Sequence, residues 1–417
     1  MEATEDVVIV GAGIAGLATA LGIHRLGLRS LVLEWSDSLR SSGFALTVWA
    51  NAWRALDELG VADSLRRQHL LHRAVIIGSA ATGDITSKRA FEARDQGEQP
   101  EVRCVRRSLL VDVLAKELPN GTIRFSSKVV HIEEQGTLKL LHLADGSTVR
   151  TKVLVGCDGV NSVVAKWLGL RGPAYAGRSA ARGIAEFPGG HGFEANFLQY
   201  VGNGFRSGVL PCDETHVYWF FTFSPSPEEK EVEEDMAKMK QHVLRNLRKV
   251  PKKVLQAVER TEPSAIVSSP LRYRWPSDLL WGGICRGSVC LAGDALHAMT
   301  PDLGQGGCAA LEDGVTLARC LGGALRGKPG AAAADERRRI EAALEEYAKE
   351  RKWRSFELIC TAYAIGRIQQ SSGAVMNFIR DRLLAPLMTR KLMSIATFDC
   401  GPLSPSDGQR SSPGTTL

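Results

Sequence analysis

Near both ends of the chain, a short apolar run is followed by a glycine-bearing turn and a helix-like stretch. The first run is Val7–Val10, and the helical pattern after its turn covers Ile14–Leu26. The second run is Val289–Ala292, which leads through residues 293–307 to a helical pattern at Cys308–Leu321. Short continuous apolar runs bounded by turns are consistent with buried strands. Both segments therefore predict strand–turn–helix units of an α/β fold.

Between these units the pattern becomes rich in strands. From about residue 172 to 280, glycine turns separate strand-like runs at Tyr175–Phe187, Glu194–Val201, Arg206–Leu210 and Thr215–Phe223. Residues 332–396 have a helical pattern, with Pro386 as the main break. We therefore predict a nucleotide-binding domain at 1–72, 101–171 and 281–330, an inserted domain at 73–100 and 172–280, C-terminal helices at 331–400 and a disordered tail at 401–417.

The first turn has the residues of a dinucleotide-binding fingerprint. Gly11 permits a tight turn, Gly13 lets a pyrophosphate approach the backbone, and Gly16 lets the helix pack closely on the strand. A second strand-like run, Leu28–Leu33, ends at Glu34, which can accept hydrogen bonds from ribose hydroxyl groups. Because strand, glycine turn, helix, strand and acid occur in the required order, the sequence predicts dinucleotide binding.

The loop at residues 293–307, GDALHAMTPDLGQGG, places an aspartate at a strand end and glycines at a helix start. Such a start exposes backbone N–H groups and the positive end of a helix dipole, which bind an anion or a developing negative charge. Taken alone, the loop could equally be a tight turn with a helix cap.

Composition indicates a globular protein with room for two domains. The chain has 417 residues and a net charge of +6 without a basic stripe, so no nucleic-acid partner is indicated. The nine cysteines form no CxxC pair and no zinc spacing, so we expect no metal site and a reducing compartment. The first strand begins at about Val7, and no apolar run reaches the roughly 18 residues of a membrane span. We therefore expect a cytoplasmic protein.

Three motifs in order, GAGIAG at residue 11, CDGVNS at 157 and GDALHAMTPDLGQGG at 293, closely resemble the single-component FAD-dependent aromatic hydroxylase family of flavoprotein monooxygenases. The resemblance covers about residues 5–365, and within the family it is strongest to plant monooxygenases related to zeaxanthin epoxidase. It implies a Rossmann-like FAD-binding domain with an inserted, mainly β substrate domain and C-terminal helices.

The resemblance also implies cofactor-binding residues, each by its place in a motif. Arg40 matches a basic residue that reaches the cofactor, and Arg107 matches an arginine at a helix start that contacts FAD, with Arg106 as the alternative. Asp158 matches an acid linked to flavin and pyridine-nucleotide handling, and Asp294 matches the acid that binds the ribityl chain. The whole set is Gly11, Gly13, Ala15, Gly16, Glu34, Arg40, Arg107, Asp158, Asp294, Gly304, Gly306 and Gly307.

Two residues of the second loop are weak candidates for a catalytic role. His297 matches a family position, but a loop-structuring role is favoured over proton transfer because the flavin itself carries the hard chemistry. Pro301 would constrain the loop above the flavin ring, which is a structural role.

In enzymes of this family NAD(P)H reduces FAD, oxygen adds to give a flavin hydroperoxide, and one oxygen atom passes to the substrate. The resemblance therefore implies hydroxylation or epoxidation of a small aromatic or isoprenoid-like molecule, with NAD(P)H and molecular oxygen consumed. We expect the substrate between the inserted sheet and the flavin loop. The sheet offers aromatic candidates for this site, although a place in the sheet core is favoured for each one: Phe197, Tyr200, Phe205, Trp219 and Phe221. Arg206 could orient an anionic substrate, but a structural role is favoured for it.

Two positions depart from the family pattern. Position 165 is Ala where the run after Asp158 usually reaches an arginine, which puts NAD(P)H contact in question, and Trp35 stands where a basic residue is common. A non-catalytic flavin-binding sensor or partner protein is therefore the alternative to an enzyme.

A flavin halogenase is disfavoured, because that subfamily carries two tryptophans before Ile-Pro and only Trp275-Pro276 occurs here. A plain NAD-binding module is a further alternative, and it would give a colourless purified protein, whereas a flavoprotein is yellow.

The C-terminal helices carry apolar faces, which include Leu358, Ile359, Tyr363 and Ile365. We expect these faces to cap the domain interface. A peripheral membrane contact or a dimer contact is the alternative, because basic residues lie beside apolar ones at Arg380, Arg382, Arg390 and Lys391. The sequence leaves the oligomeric state open.

Overall fold

The computed structural model describes residues 4–39, 44–91, 100–225, 235–326, 332–369 and 391–403. The strands are β1 (Thr4–Val10), β2 (Leu31–Leu33), β3 (Ala45–Val48), β4 (Ala74–Ser79), β5 (Ile85–Ala90), β6 (Arg103–Arg106), β7 (Ile123–Arg124), β8 (Val129–Gln135), β9 (Leu138–Leu143), β10 (Thr148–Gly156), β11 (Ala174–Glu186), β12 (Asn196–Val201), β13 (Phe205–Pro211), β14 (His216–Phe223), β15 (Val267–Tyr273), β16 (Cys285–Arg286) and β17 (Val289–Leu291). The α-helices are α1 (Ile14–Arg25), α2 (Ala50–Glu58), α3 (Ala62–Arg66), α4 (Arg107–Lys116), α5 (Val163–Trp167), α6 (Met236–Asn246), α7 (Lys252–Arg260), α8 (Pro276–Trp281), α9 (Asp294–His297), α10 (Gly306–Leu325) and α11 (Ala333–Gln369). The predictions that lie outside the described residues concern Arg40, Arg380, Arg382, Pro386, Arg390 and the tail beyond residue 403.

The first sheet brings the three sequence motifs to one edge. Its strand order is β16-β17-β10-β1-β2-β7, with β9 beside β10 and β8 beside β9, and the run from β17 to β7 is parallel. Val10 lies opposite Gly156, and Gly156 lies opposite Leu291. Because β1, β10 and β17 end level with one another, the turns that follow them open side by side at the carboxyl edge, the usual place for a ligand in such sheets.

Glycines let the covering helices approach each other closely. A Cβ on Gly22 of α1 would lie 2.6 Å from the Cβ of Ala318 in α10, and a Cβ on Gly314 would lie 2.6 Å from the Cβ of Ala18. The apolar run of β1 beneath them, Val7–Ile9, is fully buried. This packing holds α1 and α10 together as the two helices that begin at the carboxyl edge of the sheet.

The second sheet, β15-β11-β14-β13-β12-β4-β5, is antiparallel except where β12 runs parallel to β4. Its strands come from residues 74–90 and 174–273. The structure therefore confirms the predicted fold class, an α/β domain with an inserted, mainly β domain and C-terminal helices. The pattern did not predict β15, because its central Ser268-Ser269-Pro270 lacks the alternation of apolar residues that marks a strand.

The two faces of the second sheet have different partners. Tyr200, Phe205, Trp219 and Phe221 lie in the core that this sheet forms with α6 and α7. Only Phe197 of the five predicted pocket aromatics lines the large cavity described below. The other four therefore occupy the sheet core, the position that was favoured for each of them from the sequence. Alternate side chains of a strand point to opposite faces, and the pattern did not reveal which face the helices cover.

The C-terminal part packs against both domains. Helix α11 runs for 37 residues, and the hydroxyl of Tyr347 donates a 2.8 Å hydrogen bond to the carbonyl oxygen of Leu291 at the end of β17. Leu358 and Ile365 are buried against Leu303 of the second loop. Among the described helices, none combines the length and the hydrophobicity that crossing a lipid bilayer requires.

Residues 391–403 return to α2. The Arg54 guanidinium donates to the carbonyl oxygens of Thr397, at 3.0 Å, and Phe398, at 2.7 Å. The backbone N–H of Leu403 donates to Glu58 at 2.9 Å, and the Leu403 side chain is buried. Residues 401–403, which the sequence assigned to the disordered tail, are therefore packed against the first domain.

Candidate functional site

A cavity of about 1290 Å³ extends from the carboxyl edge of the first sheet to one face of the second sheet. Single-ligand sites usually have volumes of about 300–1,000 Å³, so this cavity can hold a cofactor and a second molecule together. Its wall contains the predicted residues Gly11, Gly13, Ala15, Glu34, Arg107, Asp158, Asp294, Pro301, Gly304, Gly306 and Gly307. The structure thus gathers most of the predicted site around one space.

The three glycines of the first turn have different structural requirements. Gly11 has a φ of +103°, and a Cβ there would lie 2.4 Å from the carbonyl oxygen of Cys157. A Cβ on Gly16 would lie 1.9 Å from the carbonyl oxygen of Gly11, so this residue lies under the turn rather than in the wall. A Cβ on Gly13 would meet nothing within 4 Å. The chain itself therefore requires Gly11 and Gly16, whereas Gly13 leaves the start of α1 open to a ligand.

Glu34 follows β2 and is 4% exposed. Its carboxylate accepts hydrogen bonds from the backbone N–H groups of Ala12, at 2.8 Å, and Ser36, at 3.0 Å. The side chain therefore fixes the first turn as well as facing the cavity.

The structure distinguishes the two candidate arginines at the start of α4. Arg107 lines the cavity, and its backbone N–H donates to the carbonyl oxygen of Phe44 at 3.1 Å. The guanidinium of Arg106 instead lies 3.4 Å from the Asp213 carboxylate and 3.4 Å from the His216 ring, and it is not part of the cavity wall. Arg107 is therefore placed as predicted, and Arg106 belongs to a neighbouring polar cluster.

The two predicted aspartates occupy different environments. Asp158 accepts from the hydroxyl of Ser162 at 2.5 Å and from the backbone N–H of Val163 at 2.7 Å, and burial raises the pKa of its carboxyl. Asp294 begins α9 with an exposed side chain that makes no hydrogen bond to the described part of the chain. Asp158 therefore also holds the start of α5, whereas the Asp294 carboxylate has its acceptor oxygens open to the cavity.

The departure at position 165 removes a cation from this region. Ala165 is 1% exposed, and its backbone N–H donates to the hydroxyl of Ser162 at 2.8 Å. Lys166 beside it is exposed and is not part of the cavity wall. No side chain on this turn of α5 replaces the missing arginine.

The second loop opens helix α10 toward the cavity. Gly304 has a φ of +62° in the left-handed region, and a Cβ on Gly307 would lie 2.5 Å from the side chain of Leu46 in β3. Gly306, the first residue of α10, has nothing within 4 Å of a Cβ. The 20-residue helix therefore directs free N–H groups and the positive end of its dipole into the cavity.

A buried charged network supports this loop from below. Arg351 of α11 pairs with Glu312 at 2.7 Å and with Asp313 at 2.5 Å, and all three side chains are fully buried. Asp313 also accepts from the backbone N–H of Gly293 and from the Nε2 of His297, both at 2.7 Å. Burial alone would raise the pKa of both carboxyl groups, but Arg351 holds each pKa below its ordinary value.

His297 is therefore placed away from the cavity wall. Its ring is fully buried and contacts Asp313, which agrees with a loop-structuring role. Pro301 lines the cavity and begins a short 3₁₀ turn, Pro301–Leu303.

A second charged cluster links the loop to the second sheet. Asp302 forms a two-point ion pair with Arg178 at 3.0 and 2.7 Å, and Arg206 lies 3.4 Å from the same carboxylate. All three side chains are at most 4% exposed, and burial lowers the pKa of the Arg206 guanidinium. A Cβ on Gly366 of α11 would lie 2.2 Å from both Arg178 and Asp302, so this glycine leaves the room that the pair occupies.

Sequence reasoning missed several of these residues. Asp302 lies inside the second loop motif, but only the fold shows that it meets Arg178 of β11. Arg182 and Tyr218 line the side of the cavity that the second sheet forms. They could have been predicted only if it had been known which face of each strand points to the cavity. Glu312 and Asp313 are adjacent acidic residues in a mainly apolar helix, a pattern that indicates a buried partner.

These residues fit an FAD. Two glycine-opened helix starts, at Gly13 and Gly306, face one cavity, as the pyrophosphate and the ring of one cofactor require. Glu34 lies near the first start, and Asp294 lies on the loop between β17 and the second.

Comparisons with known proteins agree with this geometry. Residues 4–358 match the model of the FAD binding domain. Monooxygenase 2 of Arabidopsis thaliana is 50% identical over 409 residues, which cover 97% of this chain and 99% of that protein. Monooxygenase 1 of the same plant is 37% identical over 404 residues, which cover 95% and 99%.

Among solved structures, Klebsiella pneumoniae HpxO complexed with FAD and uric acid has a TM-score of 0.78 at 23% identity, covering 94% of this chain and 96% of that one. That likeness shows a shared fold. The family match and the two plant relatives extend over most of the sequence. The chain therefore belongs to the family of FAD-dependent monooxygenases.

Proposed function

We propose that this protein uses NAD(P)H and molecular oxygen to hydroxylate or epoxidise a small aromatic or isoprenoid-like substrate. The observation that carries the proposal is the two-part cavity, in which the cofactor residues of the first domain and one face of the second sheet bound one space. Klebsiella pneumoniae HpxO, which shares this fold, forms a complex with both FAD and uric acid.

We assign the cofactor roles as follows. The open start of α1 at Gly13 receives the pyrophosphate, Glu34 the adenosine ribose, Asp294 the ribityl chain, and the start of α10 the pyrimidine edge of the ring. Arg107 supplies a cation at the cavity wall. We propose Arg40 and Asp158 as further cofactor-binding residues. We also propose that the domains have the limits given in the sequence analysis.

The substrate chamber combines an apolar wall with a buried charged cluster. Phe197, Leu210, Phe220 and Leu271 line it from the second sheet. Arg178, Arg206 and Asp302 form the charged cluster, and the Arg206 side chain also lines the cavity. We therefore propose a flat, apolar substrate with an acidic or enolic group directed at Arg206, because a guanidinium forms strong hydrogen bonds with such groups.

The mechanism assigns binding, orientation and water exclusion to the protein. FAD, when bound, supplies electron transfer from NAD(P)H and activation of oxygen. The N–H groups at the start of α10 stabilise negative charge on the pyrimidine edge as the ring is reduced. Leu392 and Met393 of the C-terminal segment and Ile365 of α11 line the cavity and exclude water from the reacting centre.

Several finer points belong to the same proposal. NADPH and NADH remain equal candidates, since Ala165 removes the cation that the family pattern offers to the reductant. The likeness to zeaxanthin epoxidase, the cytoplasmic location and a peripheral membrane contact are retained as predictions. The C-terminal segment lines the cavity, which supports a capping role for it.

The first test is anaerobic reduction of the FAD-loaded protein by NADPH or NADH, with and without a panel of aromatic acids, phenols and isoprenoid acids. We expect flavin absorbance to bleach, faster with a substrate present. Admission of air should then yield a product heavier by one oxygen atom. A yellow protein that neither reductant bleaches under any condition would instead support a flavin-binding sensor.

A further inference from the structure

Trp49, which precedes α2, has an indole N–H that meets no acceptor in the described part of the chain. The side chain is 2% exposed and lines the cavity, and its Nε1 has no hydrogen-bond partner among the described residues. An indole nitrogen only donates, and a buried donor left unpaired is destabilising. The geometry therefore indicates an acceptor that belongs to a bound molecule.

The position of Trp49 identifies the compartment. Its Nε1 lies 3.4 Å from the place a Cβ on Gly304 would take, so a glycine at 304 leaves the N–H open. Leu46 of the strand before Trp49 and Ile14 of α1 both approach the Cβ position of Gly307, at 2.5 and 3.6 Å. Trp49 thus lies among the elements that bound the cofactor end of the cavity.

We propose that the Trp49 indole N–H donates a hydrogen bond to an acceptor atom on the pyrimidine edge of the bound isoalloxazine ring. This inference rests on the proposed function, in which FAD occupies that compartment. The pyrimidine edge gains negative charge when the flavin is reduced, so a donor there binds reduced FAD more strongly than oxidised FAD. Trp49 then contributes to the flavin reduction potential as well as to affinity.

The chain offers a matched control one helical turn away. Trp53 is also 2% exposed, but its Nε1 donates to the carbonyl oxygen of Val48 at 3.2 Å. Trp49→Phe removes a donor that has no acceptor among the described residues, whereas Trp53→Phe removes an internal hydrogen bond. The two substitutions delete the same atoms at equal burial and differ in the partner they lose.

The experiment measures FAD dissociation and midpoint potential on the holoenzyme, by fluorescence of released FAD and by equilibration with redox dyes. Trp49→Phe is expected to weaken oxidised FAD binding roughly three- to tenfold, as loss of one hydrogen bond does, and to lower the potential. Trp53→Phe is expected to keep both within about twofold and to unfold at lower urea concentration. As a readout on the unaltered protein, the Trp49 indole proton resonance, assigned with Trp49→Phe or Trp49→His, should shift on flavin reduction.

Several outcomes would overturn the inference. Unchanged affinity and potential in Trp49→Phe, or an indole resonance indifferent to reduction, would mean that the N–H does not meet the flavin. A higher KM for substrate with unchanged FAD binding would assign the donor to the substrate. Failure of the wild-type protein to bind FAD would instead defeat the proposed function itself.

Discussion

At the scale of single residues, two glycines of the first turn are needed for different reasons, one for folding and the other for ligand binding. Gly16 is required by the backbone, since its Cβ would overlap the carbonyl oxygen of Gly11 at 1.9 Å. A Cβ on Gly13 would meet no atom of the described residues within 4 Å, so the missing side chain there leaves room for a bound group. Both glycines were predicted from the motif, but only the structure shows that they are required for these different reasons.

Gly13→Ala is therefore expected to fold normally and to lose FAD affinity. Gly13 has a φ of −79°, which alanine adopts without strain, but the added methyl group would occupy the space of the pyrophosphate. We expect an unfolding midpoint close to wild type for the apoprotein and a dissociation constant at least tenfold higher, measured by flavin fluorescence. Gly16→Ala is the contrasting variant, expected to be unstable with or without FAD. Equal affinity in Gly13→Ala and wild type would remove the pyrophosphate from this turn.

Arg351→Met tests the buried network below the second loop. Removing this cation leaves two fully buried carboxylates without their main counter-charge, which typically costs about 3–5 kcal/mol of unfolding free energy. Arg338→Met is the control, because its ion pair with Asp335 is largely exposed and is worth at most about 1 kcal/mol. Urea unfolding of both variants measures the difference. A loss for Arg351→Met no larger than the control would contradict the network's role.

The same network gives a pH dependence of defined sign. The folded pKa values of Glu312 and Asp313 lie below their ordinary values of 4.5 and 3.8. Their stabilising contribution is therefore complete above about pH 5 and is lost as the pH falls through the depressed folded values. In Arg351→Met those folded pKa values rise toward or above the ordinary values, so the acid-induced loss of unfolding free energy that these two carboxyl groups cause should become smaller or reverse. Urea unfolding of wild type and variant, measured from about pH 7 to pH 3, checks this sign.

At the scale of elements, helix α11 packs against the charged pair of Arg178 and Asp302 at a glycine, Gly366. Gly366 leaves room for the Arg178–Asp302 pair, and Gly366→Ala would place a methyl group 2.2 Å from both partners. We expect a loss of about 1–3 kcal/mol in unfolding free energy, and weaker substrate binding because Asp302 and Arg206 shift. Gly323→Ala in α10 is the matched helical control, since a Cβ there meets nothing within 4 Å and alanine is the better helix former. Equal stability of the two variants would show that the pair does not need this space.

The sequence predicted those elements whose hydrophobic pattern is set by neighbouring residues in the chain. The strand–turn–helix units around Val10 and Leu291 were predictable, because buried parallel strands are continuous apolar runs and glycine turns mark their ends. The cavity face of the second sheet was not, because a period of two fixes which residues share a face and not which face is covered. The Arg178–Asp302 pair was also beyond prediction, since its members lie 124 positions apart.

At the scale of the whole molecule, the charge of the substrate chamber predicts selectivity. Arg206→Met leaves the two-point pair of Arg178 and Asp302 intact and removes a cation that lines the cavity. For an anionic substrate we expect KM to rise about 10- to 100-fold, as loss of a charge-assisted hydrogen bond does. A neutral analogue of the same shape should be affected much less, and FAD affinity should not change. Equal losses for both compounds would mean that Arg206 shapes the chamber and does not read charge.

The proposed function requires this protein to transfer one atom of molecular oxygen to a small organic substrate bound in the cavity. The most direct measurement is turnover of the FAD-loaded protein with NAD(P)H under ¹⁸O₂ and a substrate from the panel, with mass spectrometry of the product. We expect a product that carries one ¹⁸O atom, formed in proportion to the NAD(P)H oxidised. Oxidation of NAD(P)H that gives only hydrogen peroxide for every compound, or a product whose oxygen comes from water, would contradict it.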